Sequence, residues 1–134
     1  LPALPRIAVF VPDLSDAPDR RTAVALAHAL LAQGHPVDLV APMGGGPLRA
    51  ALDPGIGQID LAKRHAATSP LALARCLAER RPALLAAPEG VFWVARLAVA
   101  LARTGTAAVR LDGGPEKGLE DGLAAIHAAA PRWG

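Results

Sequence analysis

Apolar residues fall into two rhythms along this chain, short unbroken runs and longer stretches in which apolar and polar positions recur with a helical period. Ile7 to Val11 is a short run, mostly β-branched and without polar alternation, which is how a strand buried on both faces reads. Between Thr22 and Gln33 the period lengthens, and Val24, Leu26, Ala27, Leu30 and Leu31 share one broad face. Gly34 supplies the left-handed residue that ends such a helix, Pro36 bars its continuation, and Val37 to Val40 begins a second buried strand. Arg6 to Val40 therefore spells strand, polar loop, helix and strand. That unit builds a parallel sheet with its functional loop at the carboxyl end of the first strand.

The alternation continues. Pro42 to Pro47 is turn-rich, Leu48 to Leu52 reads as a short helix, and Asp53 to Gly55 as a turn before a short strand at Ile59 to Leu61. Ser69 is an expected N-cap with Pro70 at the first helical position, so Leu71 to Arg81 is predicted helical until Pro82. Ala83 to Ala87 is the next strand. Glu89 to Thr104 is a helix with little polar face (Val91, Phe92, Val94, Ala95, Leu97, Ala98, Leu101), expected to be heavily covered and capped by Gly105. Ala107 to Leu111 is the last strand, and Leu119 to Ala130 a closing helix ended by Pro131. The fold class is α/β, a single Rossmann-like three-layer domain. Its mostly parallel sheet has five or more strands, with right-handed crossovers and helices on both faces. No internal repeat or linker interrupts residues 1-134.

Composition narrows the possibilities. The 134 residues suffice for one domain with a core that needs no disulfide or metal. Two Phe, two Trp and no Tyr leave that core to Ala, Leu and Val. No apolar run reaches the roughly 20 residues of a membrane span, and no leader pattern opens the chain, so a cytoplasmic protein is expected. The one cysteine, Cys76, lies in a helical pattern and reads as a buried spectator. A net charge of +2 with scattered arginines gives no basic stripe and no case for nucleic acid.

Ligands of such sheets bind beyond the carboxyl ends of the strands, where strand order reverses. Four loops lie there: Pro12 to Asp19, Ala41 to Pro47, Pro88 to Gly90 and Asp112 to Pro115. In the first, Asp13, Ser15, Asp16 and Asp19 either receive a substrate hydroxyl or make an ordinary cap and turn, with Asp16 or Asp19 as N-cap. Arg20 and Arg21 occupy the first helical turn, unfavourable for cations, and either bind an anion or lie solvated. Neither GxGxxG nor GxxxxGK[ST] occurs, and the Gly44, Gly45, Gly46 triplet follows the second strand, so it reads as a mobile loop. His28, His35, His65 and His127 are too dispersed for a zinc site, His35 reads as structural, and no nucleophile elbow is present. No metal and no cofactor are expected.

Several segments together resemble a known family: RIAVFVPDL, the helix and strand TAVALAHALLAQGHPVDLVAP, GPLRAAL, LARCLAERRPALLAA and AAVRLDGG. They look like the N-terminal, acceptor-side domain of bacterial retaining glycosyltransferases of the two-domain B fold (group 1, or family 4, type). Its most specific part is LAxxLxxxGHxV, here Leu26, Ala27, Leu30, Gly34, His35 and Val37. The resemblance implies transfer of a sugar from a nucleotide-sugar donor to a sugar or glycolipid acceptor, with placement in the cytoplasm or peripherally at the inner membrane. It also implies that the C-terminal nucleotide-sugar-binding domain, which carries the paired glutamates and most of the cations, is absent here, leaving this domain inactive alone. Where such domains carry a glycine pair after the first strand, this chain reads DLSDAPDRR; where they carry histidines after the fourth and fifth strands, it has Glu89 and Asp112. Acceptor contacts are therefore assigned to Asp13, Ser15, Asp16, Glu89 and Asp112. A capped helix at Glu89 and a plain Asp-Gly-Gly turn at Asp112 account for the same residues. The rival class is a noncatalytic Rossmann-like domain for small molecules or protein partners, and an exposed docking wall would favour a homodimer.

Overall fold

A computed structural model of the chain describes residues 4–111 and 115–129. Strands β1 (Ile7–Phe10), β2 (Val37–Ala41), β3 (Gly57–Asp60), β4 (Leu84–Pro88) and β5 (Ala107–Leu111) run parallel in the spatial order β3-β2-β1-β4-β5. Ile7 stands opposite Val37 on one side and Leu84 on the other, which makes β1 the central strand. Its side chains alternate between two cores, and this is why its sequence shows no polar alternation. Ile7, Val9 and Leu39 pack on the side of α1 (Pro18–Ala32) and α4 (Pro115–Ala129). Ala8, Phe10 and Val40 face α2 (Pro70–Arg80) and α3 (Glu89–Ala102). The chain moves outward from β1 through β2 to β3, returns over the opposite face through α2, and resumes at β4. Strand order thus reverses between β1 and β4.

Proline and electrostatics set several boundaries differently from the hydrophobic period. Helix α1 starts at Pro18, four residues before the apolar stripe, because proline is suited to the first helical position and Asp19 favours the positive helix end. Its N-cap is Ala17, not Asp16 or Asp19, and makes no side-chain cap bond. Ser69 occupies the N-cap position of α2, but its backbone is already helical and its hydroxyl donates to the His65 carbonyl at 2.8 Å. The left-handed residue after α3 is Arg103 (φ 53°), with Gly105 (φ 81°) two positions on. Strand β3 starts at Gly57, ahead of its apolar positions, because Gly57 pairs with Asp38. Helix α4 starts at Pro115, and its expected stop at Pro131 lies outside the described residues.

The expectation that α3 is heavily covered is wrong. Trp93, Leu97 and Leu101 are 52%, 43% and 47% exposed, since α2 and α3 form the outer layer and only one side of α3 meets the sheet and α2. With exposed Leu71 of α2 they leave an apolar stripe open to solvent.

A polar node lies near the amino edge of the sheet. Asp38 of β2 is 1% exposed and accepts two hydrogen bonds from Arg6 (both 3.1 Å) and two from Arg80 (3.0 and 2.7 Å). Gly57 makes room for them, since a Cβ there would lie 2.2 Å from Asp38 Oδ1. Nearby, buried His35 places Nδ1 3.0 Å from the Pro5 carbonyl oxygen, the structural role expected of it.

Candidate functional site

The opposite, carboxyl edge holds the candidate residues. There the loops that follow β1, β2 and β3 surround an open crevice of about 500 Å³, lined by Pro12, Asp13, Met43, Gly45, Arg64, His65 and Ala66. Backbone bonds hold the three loops together: Leu48 N–H donates to Leu14 O (3.0 Å) and Lys63 N–H to Pro42 O (2.9 Å). Gly46 (φ 145°) lets the first two loops touch, because a Cβ would fall 2.6 Å from Leu14 O. The glycine triplet is thus partly a packing device. A smaller cavity of about 60 Å³, bordered by Leu14, Leu39, Arg49 and Asp60, has room for ordered water but not for a sugar ring.

Asp13 and Ser15 are brought together. The Asp13 carboxylate accepts from the Ser15 amide (3.0 Å) and hydroxyl (2.5 Å), and from Arg20 Nε (3.1 Å) and Nη2 (3.2 Å). Partial burial pushes this carboxyl up, but the bonds from Ser15 and Arg20 outweigh it and its pKa lies below the ordinary value. Arg20 also holds Asp19 at 2.8 Å, and Arg21 holds Asp16 at 3.3 Å. Burial lowers the Arg20 pKa, but bonds to Asp19 and Asp13 outweigh it and raise the value. Asp13 lines the crevice and Ser15 is bonded to it, whereas Asp16 is turned to Arg21. Glu89 is exposed in the first turn of α3, and among the described residues no hydrogen bond joins it to the other candidates. Asp112 lies outside the described residues.

Sequence reasoning missed the third wall. Asp60 ends β3 and accepts from the Ala62 amide at 2.7 Å; this bond, with one from the Gly44 amide, holds its pKa below the ordinary value. Immediately after come Lys63, Arg64 and His65. The run Lys-Arg-His directly behind a strand was the available signal. Cys76 is buried, and desolvation together with the Asp38 charge pushes its thiol up to about 11, which removes it as a nucleophile. Among the described residues no group of three His, Cys, Asp or Glu gathers as a metal site, and no helix is long and apolar enough to cross a membrane.

The 3-2-1-4-5 parallel sheet and its carboxyl-edge crevice define a Rossmann-like three-layer α/β domain. Among solved structures the chain is similar to a glycosyltransferase from Rickettsia africae ESF-5, with a TM-score of 0.59 and 15% identity over 79% of this chain and 29% of that one. It also aligns with an alpha-glucosyltransferase in complex with UDP and a 13-mer DNA containing a HMU base, at 13% identity over 81% of this chain and 30% of that one. The TM-score there is 0.49, below the level at which a shared fold is read. The first likeness shows a fold shared with that glycosyltransferase, and the chain spans less than a third of the length of either protein. No protein-family model matches it, and no curated protein does.

Proposed function

We propose that this domain is the acceptor-holding half of a glycosyltransferase that moves a sugar from a nucleotide-sugar donor to a sugar or glycolipid acceptor. The observation that supports the reading most is the crevice at the carboxyl edge, bordered by Asp13 with Ser15 bonded behind it, in a fold like that of a glycosyltransferase. Sugar hydroxyls are donors as well as acceptors, and a carboxylate held ionised and aimed by Ser15 and Arg20 receives them without reorganising. Donor phosphates would be held by a second domain of the B-fold type, across an interdomain cleft that excludes water.

Titration of the chain labelled with nitrogen-15 tests this reading. Simple hexoses should shift the amide signals of 11–17 and 43–46, while a uridine diphosphate sugar leaves them in place. The chain alone should turn over no nucleotide sugar. Robust turnover, or strong nucleotide-sugar binding with no response to acceptor sugars, would refute the assignment. The exposed Trp93, Leu97 and Leu101 stripe favours a second reading, a noncatalytic interaction domain. Self-association that Leu97→Lys abolishes, with no sugar response at all, would support that one.

A further inference from the structure

At the carboxyl edge two cations stand apart from the paired aspartates. Asp13, Asp16 and Asp19 are taken up by Arg20 and Arg21, and Asp60 by the amides of Ala62 and Gly44. Lys63 and Arg64 follow at once, and among the described residues neither makes an ion pair. Both are exposed, as is His65.

These three residues sit on a fixed backbone. The Lys63 amide is bound to Pro42 O, and the His65 carbonyl accepts from the hydroxyls of Thr68 (2.9 Å) and Ser69 (2.8 Å). Ala62 adopts the left-handed region (φ 57°), a conformation costly for a residue with a Cβ, and its amide is pinned by Asp60. This turn brings Arg64 and His65 to the crevice wall, across from Gly45, where a Cβ would meet nothing within 4 Å.

The geometry points to a site for a phosphate monoester, gripped by Arg64 and His65 at the crevice wall. The inference rests on the crevice being the acceptor's seat, and makes that acceptor a phosphorylated one. A monoester carries close to two negative charges near neutral pH and three acceptor oxygens, which a guanidinium fork and an imidazole can engage together. A crevice of about 500 Å³ admits a hexose with its phosphate. A nucleic acid would need a basic stripe, and these residues are confined to one turn.

The test uses the 134-residue chain and four probes followed by nitrogen-15 amide shifts: a hexose 6-phosphate, the same hexose unphosphorylated, inorganic phosphate, and vesicles containing phosphatidic acid. The hexose phosphate should shift the signals of 44–46 and 63–66. Arg64→Gln and His65→Ala should each weaken it about tenfold, the loss of one charge-assisted bond. Arg96→Gln on α3, whose variant residue is outside the crevice, serves as the control. Arg64-dependent binding to the vesicles in preference to the hexose phosphate would support the site with the phosphate carried on a lipid. Equal affinity for the neutral hexose, unaffected by Arg64→Gln, would overturn the phosphate site and leave the acceptor reading intact. Inorganic phosphate binding as tightly as hexose phosphate would uphold the anion site while removing the acceptor reading. No response to any probe would overturn both.

Discussion

Replacing Gly57 by alanine should unfold the chain at lower denaturant, although alanine is ordinarily the better strand residue. Gly57 lies outside the left-handed region, so the usual backbone objection does not apply, and relief of glycine's entropy cost alone would stabilise by roughly 0.5–1 kcal/mol. The opposing effect is steric and electrostatic. The new Cβ would stand 2.2 Å from Asp38 Oδ1 and 3.4 Å from Arg80 Nη2, so the carboxylate must leave its forks. Asp38 is 1% exposed whereas Arg6 and Arg80 are 34% and 42% exposed, so the buried partner carries the penalty. Breaking a buried pair costs about 3–5 kcal/mol, and partial solvation of both arginines puts the expectation near the lower end, about 3 kcal/mol. Removing Asp38 instead leaves two guanidinium groups that can turn to water. Gly57→Ala should therefore be neutral or slightly stabilising when made together with Asp38→Ala. Urea titrations of the four chains, followed by far-ultraviolet circular dichroism, measure this cycle provided the slope with urea is unchanged. An equal loss for Gly57→Ala with and without Asp38 would refute the account.

Cys76 should resist iodoacetamide in the folded chain at pH 8 and react once the chain is denatured, with mass spectrometry as the readout. Its raised thiol pKa, about 11, contributes stability that is complete below the unfolded thiol's value of about 8.5 and declines as pH rises toward 11, so alkaline urea midpoints should fall less in Cys76→Ala. Asp60 has the opposite sign: its lowered pKa contributes stability above the free carboxyl's value of about 3.9, lost as pH falls through the lower folded value. Asp60→Asn should accordingly flatten the acid limb of the urea midpoint against pH. Leu97→Lys should leave the unfolding free energy from urea titration within about 0.5 kcal/mol of the parent, as expected of an exposed position, and a larger loss would mean that the α3 stripe is covered.

The sheet was legible because its central strands are buried on both faces and say so directly: Ile7 to Val11 and Ala83 to Ala87 have no polar position to misread. Proline and glycine marked most turns. Gly34 does adopt a left-handed conformation (φ 99°) after α1. Helix starts were less legible, because the apolar stripe marks where packing begins, not where hydrogen bonding does; Pro18 to Arg21 lies ahead of the stripe. Coverage of α3 was misjudged since apolar periodicity cannot tell a helix between two layers from one on the outside. The position of Asp13 at the crevice was legible from the strand-end rule. Its engagement by Arg20 was not, because the pairing depends on how the first helical turn folds back on the loop. The third wall at Arg64 and His65 escaped because β3 is only four residues long and its following loop was not among those nominated.

Asp38 has a consequence for the alignment of the sheet. Strand β2 is otherwise Val, Leu, Val and Ala, apolar on both sides, so hydrophobicity alone gives it little reason to prefer one register over the next. A slip by a single residue would turn Asp38 from the α2 side, where two arginines wait, to the side of Val9 and Leu26, where the described core holds no cation. One carboxylate thereby assigns each side chain of β2 to its face. The three loops at the far end inherit that alignment, and with it the spacing between Asp13, Gly45 and Arg64 across the crevice.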